Sequence, residues 1–220
     1  MLIATDGACK RNGTPECCSI GVAWIQTEDG DMLYRSRFES TESTSQRGEI
    51  NGLIEGLKYA VENASDDEDI IVITDSEYLY NAVELGWCMK WRDARWFGGM
   101  GPVKNPDLWA EVCRLLDALN RFEPRVYMQW TKGHIVHYTA GKVKQAMVVD
   151  PAGVELFTRI VAVANRPADR SRIIQDFVKY RREHNKLWPP PETCLEWAIA
   201  NAMADSLAGY LVTLMDNLAL

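Results

Sequence analysis

Histidine occurs only 3 times in this 220-residue chain, and the six cysteines (Cys9, Cys17, Cys18, Cys88, Cys113 and Cys194) form no Cys-x-x-Cys pair. A structural zinc site needs such ligands at close spacing. His134 and His137 have no cysteine pair to join them, so zinc is set aside, and His137 and His184 read as ordinary surface residues. The opening MLIATDGACK has neither a basic leader nor a cleavage site, which argues against secretion. Thiols in such a chain are expected to stay reduced and to serve mostly as packing residues. No uninterrupted apolar run approaches the roughly 18 residues that span a bilayer. Internal repeats and low-complexity tracts are missing too, which excludes repeat architectures. A cytoplasmic protein with no membrane partner is the expectation.

Positive charge is scarce in one half of the chain. Residues 1–86 hold 6 Lys+Arg against 17 Asp+Glu, net -11, whereas residues 87–220 hold 18 against 14, net +4. An acidic half able to hold cations, joined to a basic half able to hold phosphates, suits a metal-dependent enzyme acting on a polyanion. Acidic solvated loops such as ASDDED (64–69) produce the same imbalance. The hydrophobic share of 47% and charged share of 25% are those of an ordinary globular domain.

Three β-type segments come first, MLIAT (1–5), SIGVAWIQ (19–26) and DMLYRSRFE (31–39), with a hairpin turn at EDGD. Ile50, Leu53, Ile54, Leu57, Ala60 and Val61 then recur at helical spacing, with Ser43, Thr44 or Ser45 placed to cap the start. IIVITDS (70–76) reads as a strand covered on both faces. A helical stretch (77–86), a Gly- and Trp-rich segment, a helix opening at Pro106 and a strand RVYMQWTKGH (125–134) follow. The order β-β-β-α-β-α-α-β predicts an α/β fold, a mixed sheet with helices on its faces. Three further helices, separated by proline-bearing breaks, are expected after residue 134.

Asp6 is expected at the end of the first strand and Asp75 at the end of the fourth. Ligands of open α/β sheets collect beyond the carboxyl ends of strands. If these strands are parallel neighbours, the two acids sit side by side. Glu49, expected in the first turn of the first long helix, can lean toward the same edge. Carboxylates so close repel one another unless a cation holds them. An all-oxygen ligand set favours Mg²⁺ or Mn²⁺. Two such ions roughly 4 Å apart would activate a water and stabilise the leaving oxygen of a phosphodiester. Gly7, next to Asp6, would let backbone or substrate approach closely.

The motifs TDGAC (5–9), QRGEINGLIEGL (46–57), VITDSEYL (72–79), PVKNPDLW (102–109), WTKGH (130–134) and NAMADSLA (201–208) occur in an order that resembles a type 1 ribonuclease H. The resemblance runs almost continuously over residues 1–134 and resumes near 198. It implies an RNase H-like fold with a five-stranded sheet in the order 3-2-1-4-5. It also implies a two-metal site on Asp6, Glu49, Asp75 and Asp205, taking Mg²⁺ with Mn²⁺ as a substitute. His134 resembles the mobile-loop histidine that assists proton transfer or product release. Cys9, Asn12, Ser45 and Gln46 match positions that contact the minor groove and 2′-hydroxyls of an RNA/DNA hybrid. Glu77 departs from the amide-bearing residue often found there.

Family members often grip the hybrid with a basic, Trp-rich protrusion. Here Trp87, Trp91 and Trp96 are accompanied by Lys90, Arg92, Arg95 and Lys104, placing Trp91 and Lys104 among the substrate-binding candidates. Residues 84–104 net only +2, so the protrusion is attenuated, and its tryptophans read more as packing than as stacking platforms. The whole chain, 1–220, reads as one RNase H-like domain with a helical insertion at 138–196 before the last catalytic acid. Segment 159–186, net +5, reads equally as a substitute substrate clamp or as the solvated face of a helical hairpin. NRPAD (165–169) repeats the Asn-x-x-x-Asp spacing of NAMAD (201–205). Asp205 is preferred over Asp169 because ADSLAGYL continues like the family's closing helix. Asn201 shares a helix face with Asp205 and joins the substrate-binding set. The expected function is hydrolysis of the RNA strand of RNA/DNA hybrids. The alternatives are a catalytically weak hybrid-tethering module and a related nuclease with another nucleic-acid substrate. A protein partner for the insertion is left open.

Overall fold

The computed structural model describes residues 1–121, 125–136, 138–183 and 190–218, and no side chains for 180–183 or for Pro191. His137, His184 and the side chains of 180–186 therefore lie outside the described residues, together with the expectations attached to them.

Strands β1 (Leu2–Lys10), β2 (Cys18–Gln26) and β3 (Met32–Glu39) form an antiparallel meander. The β2–β3 turn places Gly30 at φ 86, a backbone region that glycine enters without strain. Helix α1 (Ser45–Asn63) follows, with Thr44 as the capping residue: its side chain accepts from the Arg47 amide. Next come β4 (Ile70–Thr74), α2 (Glu77–Glu84), α3 (Trp87–Asp93), a two-residue hairpin of β5 (Phe97–Gly98) and β6 (Gly101–Pro102), α4 (Pro106–Leu119) and β7 (Val126–Trp130). The main sheet runs β3-β2-β1-β4-β7, with β4 parallel to both neighbours. This is the 3-2-1-4-5 order implied by the resemblance, its fifth member being β7 because the small hairpin intervenes.

Strand β1 outlasts its expected end. Its pairing with β4 stops at Ala4–Ile73, while its pairing with β2 continues through Asp6–Val22 to Lys10–Cys18. Asp6 is thus mid-strand, at the point where β1 outruns β4. Asp6 and Asp75 each lie two residues beyond that last parallel pair, which is why the sheet presents them together.

Period-2 alternation divides the sheet between two cores. Ile3, Ala23, Ile25 and Val72 pack with α1, α2 and α4 on one face. Ala4, Val22, Trp24 and Ile73 pack with α5 (Ala140–Val149), α6 (Val154–Ala164), α7 (Pro167–Glu183) and α8 (Pro191–Leu218) on the other. Trp24 stacks on Phe157 with ring centroids 5.6 Å apart, which fixes α6 to β2; such a pair adds about 0.5–1.5 kcal/mol beyond its buried area. Among the described residues, four helices follow residue 134 where three were expected. The additional one, α5, buries Val143, Ala146 and Met147, an i, i+3, i+4 set that was present in the sequence.

Counting only uninterrupted apolar runs also understated α8. Its segment Glu192–Leu218 is long and apolar enough to cross a membrane by length and composition, an 18-residue window of it having mean hydropathy 1.3. Here that apolarity covers the sheet: Ala198, Ala202, Met203, Leu207 and Ala208 are buried against β1 and β2 or the neighbouring helices.

Helix α1 meets the sheet backbone to backbone. A Cβ on Gly7 would overlap the Glu49 amide nitrogen, and one on Gly21 would overlap the Gly52 amide nitrogen. Gly48 and Gly52 in turn lie against the carbonyl oxygens of Ile20 and Val22, at 2.9 and 2.8 Å from their own would-be Cβ atoms. Gly7→Ala is expected to destabilise by about 1–3 kcal/mol in urea unfolding, because α1 must lift from the sheet. Gly99→Ala, with nothing within 4 Å of its added methyl, should stay within about 0.5 kcal/mol of wild type.

Candidate active site

The glycine contact sets the position of Glu49, the fifth residue of α1. It lies just past the first turn, which contains no acid, rather than within it. Asp6, Glu49 and Asp75 each bring a carboxylate oxygen within 4.8 Å of the other two. Asp6 is 8% exposed, and its Oδ1 accepts a 2.7 Å hydrogen bond from the Gly7 amide. Glu49 Oε2 is buried with no hydrogen-bond partner among the described residues. The Asp75 backbone is held by Trp130, whose Nε1 donates to the Asp75 carbonyl at 3.0 Å, and Asn201 hydrogen-bonds the Asp75 side chain. Gly133 lies so close over this carboxylate that any Cβ there would collide with Asp75 Oδ2.

Asp205, on α8, stands at the outer side of the cluster with its side chain 33% exposed, and its Oδ2 lies 3.1 Å from His134 Nδ1. The backbone of His134 is left-handed, φ 56, directly after Gly133, so the loop presents the ring to Asp205 from above the sheet edge. Asp169 is elsewhere: it sits on α7, 3.5 Å from Arg172. Of the two Asn-x-x-x-Asp sites, only NAMAD meets the other acids.

Burial and mutual repulsion act together on these groups. Burial pushes Asp6 well above the usual carboxylate range, and Asp75, Glu49 and Asp205 push it further. Burial and then Asp75 raise Glu49 to about 8. Asp75 is raised by burial and Asp205, with His134 and Asn201 working against them. Buried acids that raise one another, an orphaned oxygen and an all-oxygen donor set fit hard divalent cations such as Mg²⁺ or Mn²⁺.

The other expected contacts fall into two groups. Asn12 Oδ1 accepts from the Ser45 amide at 3.4 Å, joining the β1–β2 loop to the start of α1, while Cys9 leans on Cys17. Gln46, Trp91 and Lys104 line one cleft of about 280 Å³, beside the β5–β6 hairpin. Trp91 also packs in an aromatic cluster, 5.6 Å from Trp109 and 6.2 Å from both Tyr78 and Trp87, so it serves packing and cleft alike. Ser76 caps α2 and Glu77 opens it, where a negative charge suits the helix dipole.

Three positioning devices escaped the sequence reading. Trp130 and Gly133 lie inside a motif read only for its histidine. Arg47 ties α1 to β3 and α4, bonding Glu39 and Asp107 at 2.9 Å each. Burial pushes Glu39 upward, but hydrogen bonds from Arg47, and others including Ser43, hold it down to about 2. The QRGE motif was the available signal.

The sequence pattern of the RNase H family matches residues 1–148. The chain belongs to the RNase H family. A ribonuclease H of Desulforamulus reducens is 33% identical over 143 residues, covering 62% of this chain and 78% of the relative. One from Neisseria gonorrhoeae is 36% identical over 143 residues, covering 62% and 85%. Among solved structures, a type 1 RNase H with the type 2 active-site motif aligns with TM-score 0.48 at 22% identity, over 78% of this chain and 84% of that one. The family match and the two ribonuclease H relatives support a nuclease of the hydrolase class.

The acids predict how stability varies with pH. Glu49 has a folded-state pKa of about 8, above its ordinary 4.5. Its contribution to stability is complete below about pH 4.5 and is lost as the pH rises toward 8. The metal-free protein should therefore melt at progressively lower temperature across that window, as followed by circular dichroism. Mg²⁺ should flatten the decline. Asp75→Asn should raise the metal-free midpoint at pH 8 and shrink the Mg²⁺-induced increase. Equal Mg²⁺ shifts in both proteins would contradict a shared cation site.

Proposed function

We propose that this RNase H family member is a divalent-cation-dependent endoribonuclease that hydrolyses the RNA strand of RNA/DNA hybrids. The carrying observation is the convergence of Asp6, Glu49 and Asp75 within 4.8 Å, in a chain whose relatives are named ribonuclease H. Asp6, Glu49, Asp75 and Asp205 would hold two cations, Mg²⁺ or in its place Mn²⁺. When bound, these supply Lewis acidity toward water and toward the phosphodiester's leaving oxygen.

The protein's own groups do the rest. Helix α1, strand β1 and the end of strand β4 keep three carboxylates in one place before substrate arrives, so little reorganisation remains for the reaction itself. Asn201 orients Asp75. His134, exposed on its loop and 3.1 Å from Asp205, is placed to exchange a proton with the leaving group and to release it to solvent. Cys9, Asn12 and Ser45 face the substrate as readers of the minor groove and the 2′-hydroxyls. The cleft of Gln46, Trp91 and Lys104 receives the backbone of the DNA strand. We assign this activity to the cytoplasm.

The test is cleavage of a labelled RNA/DNA hybrid in Mg²⁺, with single-stranded RNA, duplex RNA and duplex DNA as controls. Cutting should be confined to the hybrid. Asp75→Asn should reduce kcat by at least roughly a hundredfold, and His134→Ala by about a hundredfold with little change in KM. Tight hybrid binding without cutting would favour a tethering module instead, and cutting of duplex DNA would favour a nuclease of different specificity.

A further inference from the structure

A groove leaves the carboxylate cluster along α8. Its first stretch, about 320 Å³, is lined by Lys10, Tyr138, Asp205, Gly209 and Tyr210 among others. Its second, about 330 Å³, shares Gly209, Tyr210 and Thr213 and continues to Lys144 and Asn217. Asp205, Gly209, Thr213 and Asn217 recur every fourth residue and so form one stripe of the helix. At 1.5 Å per residue the floor extends about 18 Å from the acid, enough for several nucleotides of one strand.

The charge beside this floor is positive. Lys10 ends β1, Lys144 projects from α5, and Lys142 lies with its ammonium 5.9 Å from the centre of the Tyr138 ring. Of the acids nearby, Asp205 belongs to the cluster and Asp216 is paired with Arg11 at 2.6 Å. Gly141 and Gly209 both lie inside helices, where glycine is destabilising relative to alanine. Neither has any neighbouring atom within 4 Å of the position its Cβ would take. Packing does not require glycine at either place. Their bareness keeps the groove open.

We infer that this groove holds the RNA strand on one side of the cut, its phosphodiester backbone lying over Gly141 and Gly209 with phosphates toward Lys10, Lys142 and Lys144. The strand is the RNA strand because the groove starts at Asp205, where the strand being cut must pass; this rests on the hybrid-cleavage reading above. Helix α5 thereby adds a basic wall to this groove through Lys142 and Lys144.

The experiment is binding of a labelled hybrid by the full chain with Ca²⁺ in place of Mg²⁺, at several salt concentrations, after checking that each variant melts like wild type. Lys142→Gln combined with Lys144→Gln should weaken binding several-fold and lower the slope of log Kd against log salt by about two. Gly209→Glu should weaken binding and Gly209→Lys should tighten it, opposite signs that a folding defect would not produce. Neutral methylphosphonate linkages in the RNA strand should abolish the difference between wild type and the double variant, and the same linkages in the DNA strand should preserve it. Unchanged slopes, Gly209 variants shifting in one direction, or a difference that survives neutralising the RNA strand would each overturn the inference. Failure of the wild type to cut any hybrid in Mg²⁺ would instead overturn the activity, leaving this binding result to be read separately.

Discussion

The rest of the site depends on the absence of side chains where α1 crosses β1 and β2. Gly7 and Gly21 on the strands meet Glu49 and Gly52 on the helix at distances no Cβ would permit. A helix normally rides on a sheet across a layer of side chains from both elements. Removing that layer at one end lowers α1 until a carboxylate from its second turn reaches the same space as a carboxylate from the strand. Hydrophobic packing farther along α1, through Leu53, Ile54 and Leu57, keeps the helix seated. Arg47 anchors its start to two other elements.

That close approach stores a conflict. Burial and mutual repulsion both disfavour the ionised acids, yet a nuclease site requires them ionised. The fold tolerates the conflict because neutral groups surround the cluster on its inner side: the Trp130 indole, the Asn201 amide and the Gly7 amide each fix an acid without neutralising it. The divalent cation of the proposed mechanism would relieve this conflict by pairing with the acids in their ionised form.

The chemistry was more legible in the sequence than the geometry. Asp6, Glu49 and Asp75 stand in short motifs of the residue types that a cation site would need, so they could be read locally. The length of β1 could not, because the polar residues after Asp6 break the apolar run while pairing with β2 continues regardless. Helix α5 carried its Val143, Ala146 and Met147 pattern in plain view but lay inside a stretch treated as one insertion. Helix α8 was expected, but its overall apolarity did not show in a search for uninterrupted apolar runs because Glu196, Asn201, Asp205 and Asp216 divide it into short stretches. The choice between Asp169 and Asp205 turned on how each segment continued, and spatially on Arg172, which faces only the former.

Helix α8 supplies both Asp205 and cover for one face of the sheet, and among the described elements it comes last in chain order. During synthesis the strands and α1 emerge first, with three acids already in reach of one another. The fourth arrives only after α5, α6 and α7 have left the ribosome, and with it the lid over Val22 and Trp24. The carboxylate cluster and the second half of the core are therefore completed by one and the same helix. A chain cut before α8 would still bring Asp6, Glu49 and Asp75 together but would leave the Val22 and Trp24 face of the sheet uncovered.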